Sequence, residues 1–118
     1  MEAAISFWGV LGAGAAVSLI NPLTQTDKLC WLLNDCRAAA LITDARHTAV
    51  FAAAAPRSPQ LRLVIVSGPG GDPRTADLPG MCGWEAALAA EPRASAPPRL
   101  NLDIDLAAII YTSGSTGD

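Results

Sequence analysis

Six residues near the end of the sequence combine the properties that an anion site needs. Thr112, Ser113, Ser115 and Thr116 offer four hydroxyls, while Gly114 and Gly117 permit positive φ and a close approach of backbone to a ligand. Successive N–H groups in such a loop form a nest that holds phosphate without a fixed cation, which suits a polyphosphate that must later rearrange or leave. The lysine-bearing loop G-x-x-x-x-G-K-[ST] does not fit, because Gly114 and Gly117 are only three apart and no Lys follows. The competing reading of a Ser/Thr/Gly hexapeptide is a polar turn that closes a core strand.

The elements that must position this loop are legible upstream. Asp105 to Tyr111 is a short apolar run with two adjacent isoleucines, entered from Asp103-Ile104-Asp105, and predicts a buried strand leading into the loop. From Ala3 to Ile20 there are eighteen residues without a formal charge, which raises the question of a membrane span or signal segment. Glu2 stands where a signal peptide wants Lys or Arg, and Gly9, Gly12 and Gly14 make the run weakly lipophilic. Its glycines and the break at Asn21-Pro22 divide the run.

Asn21-Pro22 would end a strand, since Pro removes a ladder donor, and Thr24 or Thr26 is expected to cap a helix running to about Cys36. Leu29, Leu32, Leu33 and Cys36 recur at helical spacing, with Asp27, Lys28, Asn34 and Asp35 facing outward and Trp31 off the stripe's centre. Ala38 to Thr43 predicts a second strand, Asp44 a cap for a helix from Ala45 to Ala55 stopped by Pro56, and Leu61 to Val66 a third strand. This alternation favours a parallel sheet with helices on both faces. Residues 67–81 and 92–98 are rich in Gly, Pro or Ala and read as surface loops. Gly68, Gly70 and Gly71 resemble a second phosphate cradle only superficially, since no helix start follows them directly.

Composition narrows the function classes. With 118 residues, 51% hydrophobic content and a mean hydropathy of +0.31, the chain is long and apolar enough to bury a core. A net charge of −3 and a pI near 4.9 provide no basic stripe for nucleic acid. Cys30, Cys36 and Cys82 are odd in number and lack C-x-x-C spacing, and the single His47 has no partner at metal-ligand spacing. They are read as reduced thiols of a cytoplasmic protein without a metal site of its own.

Ile110-Tyr111-Thr112-Ser113-Gly114-Ser115-Thr116-Gly117 resembles the signature of the AMP-forming adenylate synthetases, the superfamily of acyl-CoA synthetases, nonribosomal-peptide adenylation domains and luciferases. In that family the signature continues with a variable residue and Pro-Lys-Gly, and Asp118 stands at the variable position. Phe7-Trp8-Gly9-Val10-Leu11-Gly12-Ala13-Gly14-Ala15, Asn21-Pro22-Leu23 and Leu29-x-x-Leu32-Leu33-x-Asp35 are similar to the helix, strand and helix that precede it in the family. The resemblance implies a helix that begins before Met1 and runs up to about Gly12, a stop at Gly12-Ala13-Gly14, and a buried strand from Ala15 to Ile20. Gly83 to Glu91 resembles the family's short helix, with Trp84, Ala87 and Leu88 inward.

The resemblance implies an α/β fold with a mostly parallel sheet, residues 1–118 being a fragment of the large N-terminal domain and 112–118 its phosphate loop. It implies a two-step reaction in which a carboxylate attacks the α-phosphorus of ATP, expelling pyrophosphate, and a thiol then attacks the acyl-adenylate. Thr112, Ser113, Gly114, Ser115, Thr116 and Gly117 would hold the β- and γ-phosphates. The catalytic groups are expected downstream of Asp118, namely the loop lysine, the adenine and ribose contacts, the acidic magnesium ligand and a C-terminal lysine. ATP, Mg²⁺ and CoA are the implied cofactors of the complete enzyme, with a fatty or other acyl acid as substrate and the rest of the enzyme's N- and C-terminal domains as partners. Asn21-Pro22-Leu23 looks more like an acyl-CoA synthetase, whereas Ser115 is the commoner choice in peptide synthetases. A non-catalytic nucleotide-binding stub and a small membrane protein built on residues 3–20 are the readings of other classes.

Overall fold

The structure is a computed structural model that describes residues 1–69, 78, 80–90, 98 and 101–112. The chain divides into two compact units, Met1–Asn21 with Ala96–Asp118, and Pro22–Ser95.

The Pro22–Ser95 unit holds the core. Helix α2 (Thr26–Asp35) buries Leu29, Leu32 and Leu33 as its apolar period dictates. Cys30 is buried as well, whereas Cys36 is only half-buried, so the stripe is rotated toward Cys30. The reason lies in Cys30's neighbours. Its thiol donates to the Arg57 carbonyl at 3.7 Å, and Asn34 Nδ2 donates both to the Cys30 carbonyl at 2.8 Å and to the Arg57 carbonyl at 3.0 Å. Arg57 Nη1 also reaches Asp27 Oδ1 at 2.8 Å. These bonds fasten α2 to the turn at Ala55–Arg57. Gln25, not Thr24 or Thr26, occupies the N-cap position and makes no side-chain capping bond. At the other end the N–H groups of Arg37 and Ala38 return to the carbonyls of Asn34 and Leu33, with Arg37 at φ 51°. That is the paired-bond helix stop usually built on glycine.

Strand β1 (Ala40–Asp44) begins two residues later than the sequence suggests. The expected helix from Ala45 to Ala55 is a composite of a 3₁₀ turn at Ala45–His47, α3 (Thr48–Ala54), and a second 3₁₀ turn at Ala55–Arg57 that contains Pro56. Proline tolerates this position because the first helical turn needs no N–H from it. Phe51 and Ala54 of α3 are fully enclosed, with Phe51 at 1% exposure. Full burial of a side chain that size contributes about 1.5–3 kcal/mol. Strand β2 (Leu63–Ser67) alternates, with Val64 and Val66 buried and Leu63 exposed.

Three parallel strands form the sheet in the order β1-β2-β3, with Ile42 opposite Ile65 and Ile65 opposite Cys82. The third strand, β3 (Met81–Gly83), lies at the end of the stretch read as a surface loop. Three residues including a glycine carry too little β-branched periodicity to be distinguished from a loop. The remainder of the 67–81 loop, apart from Ser67, Gly68, Pro69, Leu78 and Gly80, and all of 92–98 except Pro98, lie outside the described residues. Helix α4 (Trp84–Ala90) follows β3 directly and lies against β2. Trp84 and Ala87 are half-buried as expected, but Leu88 is exposed.

Asp44 caps the turn after β1 as the sequence predicts: its Oδ1 accepts from the Arg46 N–H at 2.8 Å and from Arg46 Nε at 2.8 Å. The hydrogen bonds from Arg46, side chain first and then backbone, hold the Asp44 carboxyl below the usual carboxylate range. A lowered folded-state pKa contributes stability above the ordinary carboxylate range, and the contribution is lost as pH falls through the lowered value. Asp44→Ala is therefore expected to cost about 1 kcal/mol at neutral pH, the usual worth of such a cap. Urea unfolding at neutral and acidic pH checks this: the gap between variant and parent should close in acid, and a gap that persists there would contradict it.

The Met1–Asn21 with Ala96–Asp118 unit is built on α1 (Glu2–Gly12), none of whose residues is buried. Gly14, at φ 76°, ends the helix by the same paired-bond motif, its N–H returning to the Leu11 carbonyl and that of Ala15 to the Val10 carbonyl. The buried strand expected from Ala15 to Ile20 reduces to one parallel bridge, Val17 to Ala108, and Asp105 to Tyr111 is likewise no buried strand. Ile104 and Ile110 are 90% and 80% exposed. Among the described residues each segment has only the other as a ladder partner, and a single bridge is too short to make a strand.

Candidate phosphate loop and the segments that lead to it

Thr112 is the one residue of the Thr112–Gly117 hexapeptide within the described set, and its side chain is exposed. Ser113, Gly114, Ser115, Thr116 and Gly117 lie outside the described residues, so the geometry on view is that of the approach to the loop.

The approach is extended backbone held by two hydrogen bonds. The Val17 N–H donates to the Ala107 carbonyl at 3.0 Å and the Ile109 N–H donates to the Val17 carbonyl at 2.9 Å, which is the slanted pattern of a parallel pair. Upstream, Asp105 closes a turn on itself: its Oδ2 accepts from the Leu102 N–H at 2.8 Å, and its N–H donates to the Leu102 carbonyl at 3.0 Å. Asn101 Nδ2 donates to the Leu11 carbonyl at 2.6 Å, at the end of α1. The end of α1, the segment at Val17 and residues 101–109 are thus joined by hydrogen bonds. The Asn101 contact spans 90 residues and left no short-range signal in the sequence.

The glycine cluster after β2 does not present a second cradle at its described part. Gly68 has φ 93°, and a Cβ built on it would stand 3.1 Å from Asp44 Oδ2. A carboxylate whose pKa is lowered is the wrong neighbour for phosphate. Gly70 and Gly71 lie outside the described residues. Among the described residues no three His, Cys, Asp or Glu side chains come together as a metal site. Cys30, Cys36 and Cys82 form no disulfide. No helix among the described residues is long and apolar enough to cross a membrane.

Comparison with known proteins agrees with this arrangement. The sequence model of the family described as AMP-binding enzyme matches residues 1–118. The chain is 33% identical over 113 residues to the 4-hydroxybenzoate--CoA/benzoate--CoA ligase of Rhodopseudomonas palustris, an alignment that takes in 96% of this chain and 20% of that protein. It is 34% identical over 114 residues to nonribosomal peptide synthetase 7 of Gibberella zeae, covering 95% of this chain and 2% of that one. Among solved structures, the anthranilate CoA ligase AuaEII in complex with anthranoyl-AMP superposes with a TM-score of 0.78 at 25% identity, over 95% of this chain and 20% of the ligase. The chain therefore spans about a fifth of the CoA ligases it matches. With the match running from residue 1 to residue 118, the chain belongs to the AMP-binding enzyme family.

Proposed function

We propose that this chain is the phosphate-loop-bearing part of an ATP-dependent, AMP-forming acid–thiol ligase that activates a carboxylic acid as its acyl-adenylate and passes it to CoA. The observation that carries the reading is the hydroxyl- and glycine-rich run Thr112–Gly117, placed directly after the extended segment that pairs with Val17. Its amides and hydroxyls would receive the β- and γ-phosphates, where preorganised donors offset the charge that develops as pyrophosphate leaves. Mg²⁺, if bound with the polyphosphate, would neutralise phosphate charge there.

The names of the relatives turn the substrate panel from fatty acids toward aromatic acids, since one ligase is named for benzoates and another for anthranilate. The expectation of fatty-acid metabolism finds no support there. A peptide-synthetase adenylation fragment, with a carrier thiol in place of CoA, is the second reading. It is favoured by Ser115 and by the 34% identity to nonribosomal peptide synthetase 7.

The test is acid-dependent exchange of pyrophosphate into ATP by the full-length protein that contains this chain. Benzoate, 4-hydroxybenzoate, anthranilate and fatty acids of graded length form the panel, followed by CoA or a carrier protein as acceptor. Exchange that requires an acid, with the aryl acids leading, is the expected result. Exchange with no acid in the panel would overturn the reading. The purified 118-residue chain by itself is expected to release no pyrophosphate, because catalytic groups that act as a unit leave little activity when several are removed together.

A further inference from the structure

We propose that Asn101 is a positioning residue for the phosphate loop, its carboxamide tying the end of α1 to the segment that delivers Thr112. The inference rests on the reading of Thr112–Gly117 as the ATP phosphate site.

Asn101 Nδ2 reaches the Leu11 carbonyl at 2.6 Å, and that same oxygen accepts the Gly14 N–H at 3.0 Å. A carbonyl oxygen has two acceptor positions, so the Asn101 donor completes it and does not compete with the helix stop. The other end of the carboxamide is equally constrained. Asn101 Oδ1 lies 3.1 Å from the point where a Cβ on Gly14 would stand, and Gly14 is at φ 76°. Glycine thus answers two demands at once, the left-handed backbone and the room for Asn101.

Two short connections run from this tie to the Val17 pairing. On one side, Ala15 and Ala16 lead from Gly14 to Val17. On the other, the turn closed by Leu102 and Asp105 leads to Leu106 and then to Ala107, the first residue bonded to Val17. The pairing itself is a single bridge with two hydrogen bonds. An isolated pair of that kind specifies register weakly, and a slip by one residue would turn every side chain to the opposite face. The tie at Asn101 closes the ring and fixes which residue meets Val17. Thr112, three residues beyond Ile109, inherits that register.

The experiment uses the full-length protein with Asn101→Ala and Asn101→Asp, the second keeping the shape and losing the donor. Steady-state kinetics are measured with ATP and acid varied in turn, and the exchange rate of the Ile109 amide is followed by NMR. Both variants are expected to raise KM for ATP about three- to tenfold, the span of one lost hydrogen bond, with KM for the acid within about twofold of the parent. The Ile109 amide should exchange faster in both. A lower melting temperature with both KM values and Ile109 exchange unchanged would show that Asn101 only caps α1, and the proposal would fall. Should Asn101→Ala not fold, Gly14→Ala crowds Oδ1 without removing the donor and should shift the same two readouts in the same direction. Ser115→Ala serves as the comparator. If it moves KM for ATP and the Asn101 variants do not, the positioning role is refuted while the phosphate reading stands. If Ser115→Ala is inert toward ATP, the phosphate reading fails, and faster Ile109 exchange in the Asn101 variants would support the tie alone.

Discussion

Gly80→Val, at the turn that leads into β3, is expected to lower stability by about 3 kcal/mol and the melting temperature by more than about 10 °C. Gly80 sits at φ 74° in a turn closed by the Met81 N–H on the Leu78 carbonyl, immediately before β3. A Cβ there would fall on the Arg62 carbonyl oxygen, which is main chain and has no flexible end to yield. The Gly80 carbonyl also accepts the Val64 N–H at 3.1 Å, so any shift that relieves the clash unpicks the β2–β3 pairing at its first residue. Gly9→Ala is the control. Gly9 lies within α1 with nothing inside 4 Å of an added Cβ, and replacing a helical glycine by alanine is worth about 0.5–1 kcal/mol in favour of the folded state. Thermal unfolding of the two variants side by side checks the prediction. Equal losses would mean that the close approach of Gly80 to Arg62 plays no part.

Gly114→Val should have the largest effect on activity. If Thr112–Gly117 holds the phosphates, a β-branched residue at Gly114 blocks both positive φ and close approach of the backbone to an anionic oxygen. Loss of one preorganised donor at developing charge reduces turnover about a hundredfold or more. In the full-length protein the loss should appear in kcat/KM for ATP, with the melting temperature close to that of the parent. A variant that folds and keeps more than half the parent's kcat/KM for ATP would contradict the assignment.

The parts of the fold that were legible in the sequence are those fixed by local physics. The helical spacing of Leu29, Leu32 and Leu33 located α2, the Asp44 cap located the turn after β1, and the β-branched run around Val64 and Val66 located β2. Gly14 ended α1 where its backbone freedom predicts. The elements that were misjudged depend on distant partners. Met81–Gly83 is a strand because β2 offers it a ladder, and its own three residues carry no period. Cys30 is buried because Asn34 and the Arg57 carbonyl converge on it from two elements. Ala15–Ile20 and Asp105–Tyr111 read as buried strands from hydropathy alone, but a strand needs a ladder, and among the described residues their pairing is the single bridge Val17 to Ala108. Of the candidate site, residue types and spacing were readable in Thr112–Gly117, whereas the bond from Asn101 to Leu11 was not, since a single asparagine 90 residues from its acceptor leaves no pattern.

The central claim, that Thr112–Gly117 serves ATP and not the acid, is tested most directly by Ser115→Ala in the full-length protein. The loop offers hydroxyl and amide donors and no apolar side chain larger than a threonine methyl, whereas a pocket for an aryl or acyl group needs a concave apolar wall. Removing one hydroxyl bonded to a charged oxygen costs about 1.5–3 kcal/mol, or roughly 10- to 150-fold. The measurement is steady-state kinetics with ATP varied at saturating acid and then acid varied at saturating ATP, repeated across the aryl and fatty acids. The account predicts a loss of that size in kcat/KM for ATP and an unchanged order of preference among the acids. Unchanged ATP dependence with a reordered acid preference would place Ser115 in the acid pocket and contradict it.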